Sequence, residues 1–253
     1  MKSQLAIELS ENAVHFASIE DGVVQSLDKF TFKDKIDYRY KEQLDHIFTE
    51  KGYRDRDYDE YSLSWYSMYS TLLPNNVFSE IKAEELFRLC YSADIPHNHI
   101  DYNRIPELAI VNVFEIPLWV KSFFVIKFPR IVIQHEGSHL LHGIFAGSTY
   151  KLKGTIVLHQ NSFNLILANE NGLQFYSHFD YQSADDVIYH FVFTLQQKQL
   201  LGQAGALTIS SSVGASEDVA KEILEKLKTL NELKSFKIDI NSQLLLNYQT
   251  LCV

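Results

Sequence analysis

Two passages of this chain carry the same order of strand and turn signals, and that recurrence constrains the fold more than any single motif. Residues 155–160 read as a strand, Asn161-Ser162 as a tight turn, 163–168 as a second strand, Asn169-Glu170-Asn171-Gly172 as another turn, and 173–181 as a third strand. Asn-Gly between alternating apolar runs signals a hairpin, because a type I′ turn demands positive φ at both central residues. Ser183-Ala184-Asp185-Asp186 then opens a long apolar helix, its two aspartates complementing the dipole at the helix start. The N-terminus follows the same plan, with residues 5–12, 13–19, the turn Glu20-Asp21-Gly22, and 23–32. Laying Gly22 over Gly172 matches Leu5 with Thr155 and onward without a gap. A repeat carried by turn chemistry and strand length, with little identity, predicts two copies of one supersecondary unit.

The rest of the chain bounds what such a pair can be. Its 253 residues hold one large domain or two modest ones. A net charge of −9 argues against a general nucleic-acid binder, since phosphate contacts need a basic footprint. Cys90 and Cys252 form neither a CxxC pair nor a dense framework, which fits a reducing compartment or indifference to redox. The N-terminus enters a strand at once, without the apolar core of a signal peptide. The most apolar region, 105–128, is interrupted by Glu107, Glu115, Lys121 and two prolines, too often to span a bilayer. A cytoplasmic protein is expected.

In chain order, 38–51 is a mixed-charge helix with Leu44, Ile47 and Phe48 on one face, stopped by Gly52. Residues 61–73 alternate serine and aromatic side chains as one strand, closed by Leu73-Pro74-Asn75-Asn76. Its rings are expected to pack internally, not to stack on bases. Ser79 caps a helix ending near 92, and an irregular connection leads through Asp101-Tyr102. A buried strand at 108–116, a helix begun by Pro117, a strand at 130–134 and a short helix at 138–146 follow, with Gly147-Ser148-Thr149 as a hinge. Beyond the second meander and its helix come a strand at 206–210, a helix at 216–230 and a strand at 236–240.

Three strands followed by alternating helix and strand, present twice, resemble the ribonuclease-H-like unit of the actin-like ATPase superfold. The resemblance implies an α/β protein with mixed sheets and two lobes, 1–147 with inserted elements and 148–253. Leu73-Pro74, Ile95-Pro96 and Ile100-Asp101-Tyr102 look like the first half of the pilus-assembly and cell-division branch. Leu173-Gln174-Phe175 and the helix after it look like that branch's second half. Over nearly its full length the chain is similar to a family of uncharacterised bacterial proteins assigned the actin-like fold.

That resemblance also says where a nucleotide would sit. An active member needs carboxylates near the first turn of each lobe to hold Mg²⁺ and orient water, and glycines where backbone N–H groups approach phosphate. Against the family's first phosphate motif, Asp-x-Gly-Ser/Thr, stand Glu8, Ser10 and Glu11. Glu8 keeps an acid, but Ser10 brings a side chain where glycine is needed, and Glu11 sets a carboxylate beside the anion. In the second copy Leu158 stands for the carboxylate, followed by His159, and Gln160 stands for the glycine. The adenosine motif matches residues 209–214, with Ser211 and Ser212 replacing the two glycines and Gly214 as a displaced remnant. The expectation is a degenerate nucleotide cleft with no catalytic residue, no metal ligand and no cofactor. The alternative is ATP with Mg²⁺ in the cleft between the lobes, making the protein a switch or weak ATPase.

A competing pattern is His135-Glu136-Gly137-Ser138-His139, which matches H-E-x-x-H of zinc metallopeptidases, with His142 three residues on. It requires both histidines on one helix. Residues 130–134 read as a strand ending on His135, and Gly137 weakens a first helical turn, so the pattern is expected to dissolve. No G-x-S-x-G, P-loop or G-x-G-x-x-G occurs. The function expected is a non-catalytic scaffold or adaptor. The resemblance implies a protein partner of the peptide or membrane-complex kind, docked on the first lobe.

Overall fold

The first strand of the first meander carries Leu5, Ile7 and Leu9 on one face and Gln4, Ala6 and Glu8 on the other, and both faces are buried, which places it inside a sheet. In the computed structural model, which describes residues 2–33, 37–53, 55–91, 95–147 and 151–252, that strand is β1 (Ser3–Leu9). It is buried from Gln4 through Leu9. β2 (Ala13–Glu20) lies antiparallel on one side of it, and β3 (Val23–Thr31) lies outside β2. After α1 (Tyr40–Glu50), β4 (Glu60–Trp65) returns parallel on the other side of β1. Leu44, Ile47 and Phe48 are the buried residues of α1, as its spacing predicts.

The run 61–73 is not one strand. It breaks after β4, and β5 (Ser70–Pro74) joins a different sheet. Trp65 Nε1 donates to Glu115 O at 2.8 Å, and Ser67 Oγ donates to the Glu115 carboxylate at 3.0 Å. These bonds anchor the chain where it changes sheet. Ser79 precedes a single 3₁₀ turn, Glu80–Lys82, without a side-chain cap bond, and α2 (Ala83–Cys90) follows. Part of the expected irregular connection is a strand, β6 (Ile100–Ile105), which pairs with β7 (Ile110–Glu115). These form a small sheet in the order β5-β7-β6. α3 (Leu118–Lys127), β8 (Val132–His135) and α4 (Glu136–Phe145) complete this stretch, with β8 parallel beside β4.

The second meander is β9 (Leu152–Leu158), β10 (Ser162–Asn169) and β11 (Gly172–Asp180). Its helix α5 (Ala184–Gln197) opens on a capping box: Ser183 Oγ accepts from the Asp186 N–H, and the Asp186 carboxylate accepts from the Ser183 N–H. The Gln182 N–H, with the Ser183 N–H and hydroxyl, donates to the Asp186 carboxylate and holds its pKa below the usual range. β12 (Gly205–Ser211), α6 (Glu217–Thr229) and β13 (Phe236–Ile240) follow, and a short α7 (Leu244–Gln249) ends the fold. The first large sheet runs β3-β2-β1-β4-β8 and the second β11-β10-β9-β12-β13. In each, two antiparallel ladders lead into two parallel ones.

The meanders correspond, but one residue out of the phase set by their glycines. Leu9 pairs with Val14 and Trp65, while Leu158 pairs with Phe163 and Ser211. Leu158 therefore stands where Leu9 stands, Val157 where Glu8 does, and His159 where Ser10 does. The turns explain the slip. Asp21 and Gly22 are both left-handed (φ 47° and 78°), whereas the second hairpin has its left-handed residue at Gly172 (φ 100°), already paired with Asn169.

The chain divides into two compact units, 1–143 with 245–253, and 144–244. Residues 245–252 thus pack with the first unit instead of the second, where the sequence boundary placed them. Leu246 packs against Ala6, Ala17 and Ile19, and fully buried Gln249 accepts from Ser62 Oγ at 2.7 Å. Tyr248 lies directly on Gly143, where an added Cβ would come within 2.0 Å of the ring. Each unit has its own core. Phe16, Phe48, Tyr53, Trp65 and Phe124 are central to the first, and Ile156, Phe163, Leu165, Phe191 and Ile223 to the second.

Because that ring leaves no room for a methyl group, Gly143→Ala is expected to shift α7 and cost roughly 1–3 kcal/mol by overpacking. Urea unfolding should show a lowered midpoint, with fluorescence and circular dichroism transitions coinciding.

Candidate functional site

The expected nucleotide-site residues lie at one end of each large sheet. Glu8, one position before the end of β1, is buried, with His15 directly across the β1–β2 ladder. His15 Nδ1 approaches Glu8 Oε2 at 3.1 Å, so this carboxylate has an imidazole partner within its own unit. Hairpin register alone places His15 there, and the sequence reading missed it. Ser10 is buried and holds its own turn. Its Oγ accepts from the Ala13 N–H at 3.2 Å and the Asn12 N–H at 3.4 Å.

In the second unit the position of Glu8 belongs to buried Val157, so no carboxylate stands at this strand end. His159 is buried, its N–H donates to Ser162 O at 2.8 Å, and its carbonyl accepts from the Tyr181 hydroxyl at 2.8 Å. Gln160 is exposed. With Asn161, Asp180, Gln182 and Ser216 it lines an open depression of about 610 Å³. Ser211 ends β12 beside Leu158, and the buried Ser212 donates its N–H to Leu158 O at 2.8 Å. Gly214 is exposed and left-handed (φ 86°), which makes it the turn residue leading to α6. The second-unit set, His159, Gln160, Ser211, Ser212 and Gly214, thus gathers where parallel β9 and β12 end. Glu8 and Ser10 gather at the matching end of β1.

The histidine pattern divides between two elements, since His135 is the last residue of β8 and Glu136 the first of α4. His135 Nδ1 accepts from the Gly137 N–H at 3.0 Å and faces Asn112 Nδ2 at 3.1 Å, while Nε2 faces the Ser67 carbonyl at 2.9 Å. This arrangement requires a neutral imidazole with its proton on Nε2. Neither ring nitrogen then offers a lone pair to zinc. Ser138 Oγ accepts from Asn112 and donates to Asn103 Oδ1, which also accepts the His135 N–H at 2.8 Å. The cluster ties β6 and β7 of the small sheet to β8 and α4. Asn103, Asn112 and Ser67 carry no sequence signal for this role, because they meet only when the two sheets pack. Among the described residues no three His, Cys, Asp or Glu side chains are grouped to hold a metal ion.

Residues 1–229 match DUF3822, described as a protein family of unknown function. The chain belongs to this family. No curated protein matches it in sequence. Among solved structures, the DUF3822 chain is similar to a Bacteroides thetaiotaomicron protein with an actin-like ATPase fold and unknown function. That similarity has a TM-score of 0.73 at 18% identity, over 98% of this chain and 96% of that one. It also resembles the type IV pilus biogenesis complex PilM–PilN, at TM-score 0.52 and 10% identity, over 93% of this chain and 90% of that one. The DUF3822 chain has the actin-like ATPase fold. None of its helices is long and apolar enough, among the described residues, to cross a membrane.

His139 on α4 is fully buried, and burial pushes its pKa down to about 3. An unfolded histidine titrates near 6.5, so the unfolded chain binds the extra proton between the two values. This contribution to stability is complete above about pH 6.5 and is lost as pH falls toward 3. Half-exposed His99, its pKa also lowered by burial, adds in the same direction. Urea unfolding between about pH 4.5 and 7 should show stability declining on the acid side, with a shallower slope in His139→Leu. An unchanged slope would contradict the assignment.

Proposed function

We propose that this DUF3822 protein is a non-catalytic actin-like adaptor, built from a duplicated lobe, whose work is to bind another protein. The observation that carries the reading is the Glu8–His15 pair. The carboxylate that would face Mg²⁺ in an active relative has an imidazole 3.1 Å from Oε2, and its second-unit counterpart is Val157. Phosphate binding by this kind of strand end also needs close approach of backbone N–H groups. Ser10 directs its hydroxyl onto two of those groups, and Ser212 donates its own N–H to Leu158. Seven residues (Glu8, Ser10, His159, Gln160, Ser211, Ser212 and Gly214) are then what is left of a nucleotide site, and no cofactor is required.

A protein partner is supported by the fold neighbour PilM, whose structure is that of a complex with PilN. It is supported also by the first unit's inserted region, where Ile81 and Leu89 are 92% and 83% exposed. The charge of −9 disfavours nucleic acid, and a cytoplasmic location suits the two free cysteines. The competing reading, an ATP-binding switch or weak ATPase, rests on Glu8 still being an acid.

Thermal unfolding with Mg²⁺-ATP and with Mg²⁺-ADP separates the two, since a ligand that binds only the folded state raises Tm. The adaptor reading expects no shift and no phosphate release. A saturable shift abolished by Glu8→Ala would establish the switch instead.

A further inference from the structure

Where β1 begins, at the opposite end of the strand from Glu8, the first unit holds a small pocket of about 200 Å³. Strand register builds its floor. Gln4 pairs with Ile19 of β2 on one side and with Glu60 of β4 on the other, so the three side chains share one face of the sheet. Lys2 joins them from two residues before Gln4, Asp21 from the β2–β3 turn, and Thr250 from just beyond α7. Gln4 is 4% exposed, and Ile19 is buried beside it.

What these side chains still have to offer is one-sided. Gln4 Nε2 spends its hydrogens on Ser62 Oγ at 2.9 Å and the Gln249 carbonyl at 3.4 Å, while Gln4 Oε1 accepts from none of the described residues. An amide oxygen this deep costs stability until a donor reaches it. Thr250 Oγ1 gives its hydrogen to the Asn247 carbonyl at 2.7 Å, which leaves it lone pairs. Asp21 and Glu60 are carboxylates and can only accept. Among the lining side chains the donor is Lys2, whose ammonium reaches Glu60 Oε1 at 2.6 Å and whose backbone N–H reaches Asp21 Oδ1 at 2.8 Å. Two carboxylates against one ammonium leave the pocket one negative charge. The Lys2 side chain is 60% exposed and can turn out to water, whereas that of Glu60 is 21% exposed and stays.

We propose that this pocket binds a small primary amine in its ammonium form. A lining of acceptors calls for a ligand made of donors, and an ammonium carries three N–H groups and no acceptor. One N–H meets Gln4 Oε1, the carboxylates take the others, and Ile19 packs against the first methylenes of the ligand. The volume holds roughly six non-hydrogen atoms, at about 30 Å³ for each water-sized group. The incoming ammonium replaces that of Lys2 on Glu60, so no charge is left buried without a partner. A divalent metal fits less well, because among the described residues no three His, Cys, Asp or Glu side chains are grouped to hold one. The site is independent of the adaptor reading and stands or falls separately from it.

Isothermal titration calorimetry of the full chain with n-butylamine at neutral pH is expected to show saturable binding. n-Butanol, which lacks the charge, and tetramethylammonium, which lacks N–H groups, should not bind. Glu60→Gln should weaken the amine roughly tenfold, since a charged acceptor is lost. Lys2→Ala should strengthen it roughly two- to fivefold, because the competing ammonium of an exposed ion pair is gone. Gln4→Met should abolish binding. That change also removes the bonds to Ser62 and Gln249, so the two variants at the mouth, checked by circular dichroism, keep the test free of folding effects. No saturable heat from n-butylamine, equal binding of tetramethylammonium, or an affinity unmoved by both Glu60→Gln and Lys2→Ala would each overturn the proposal. Displacement of the amine by a lower concentration of Ca²⁺ would overturn it in favour of a metal ion.

Discussion

Burial of one strand on both faces is the constraint from which the rest of each unit follows. β1 and β9 are buried on both faces over most of their length, so each needs backbone partners left and right and packed layers above and below. A hairpin supplies the partner on one side, because the turn brings the next strand back at once. The other side waits for a parallel strand, which a turn cannot deliver, and β4 and β12 arrive only after a helix. The strand ends where chemistry is sought in this fold therefore always lie beside the end of a parallel neighbour. That geometry sets Leu9 beside Trp65 and Leu158 beside Ser211.

What those ends present is then a matter of single residues. A carboxylate buried at a strand end is costly unless it gains a partner, and His15 supplies one across the ladder. A serine at the next turn satisfies two backbone donors that would otherwise point outward. The same positions in the second unit are Val157 and His159, so the lobes share a frame without sharing its polar groups. The frame persists because strand register depends on alternation and turns, which tolerate such replacements.

His135 shows the same logic in the core of the first unit. A short pattern suited to zinc becomes a hub for packing, its imidazole fixed in one tautomer by Gly137, Asn112 and the Ser67 carbonyl. The network specifies how the small sheet seats on the large one, with Asn112 Oδ1 buried in it without a hydrogen-bond partner. The polar contact of Gln249 with Ser62 specifies the seat of the C-terminal helix in the same way.

By itself the sequence determined both meanders, the helices after them and the actin-like fold, because alternation and turn chemistry act over a few residues. It also showed no acid where the resemblance expects the second carboxylate, since no rearrangement turns a Leu or Val into one. It misjudged the phase of the repeat by one residue, because Asn-Gly can hold its left-handed glycine inside the loop or at the first paired position. Only the tertiary structure decided that, and it alone split 61–73 between two sheets, found β6, paired His15 with Glu8 and returned residues 245–252 to the first unit. Those outcomes depend on residues far apart in the chain, and local propensity carries no record of which distant surface a segment will meet.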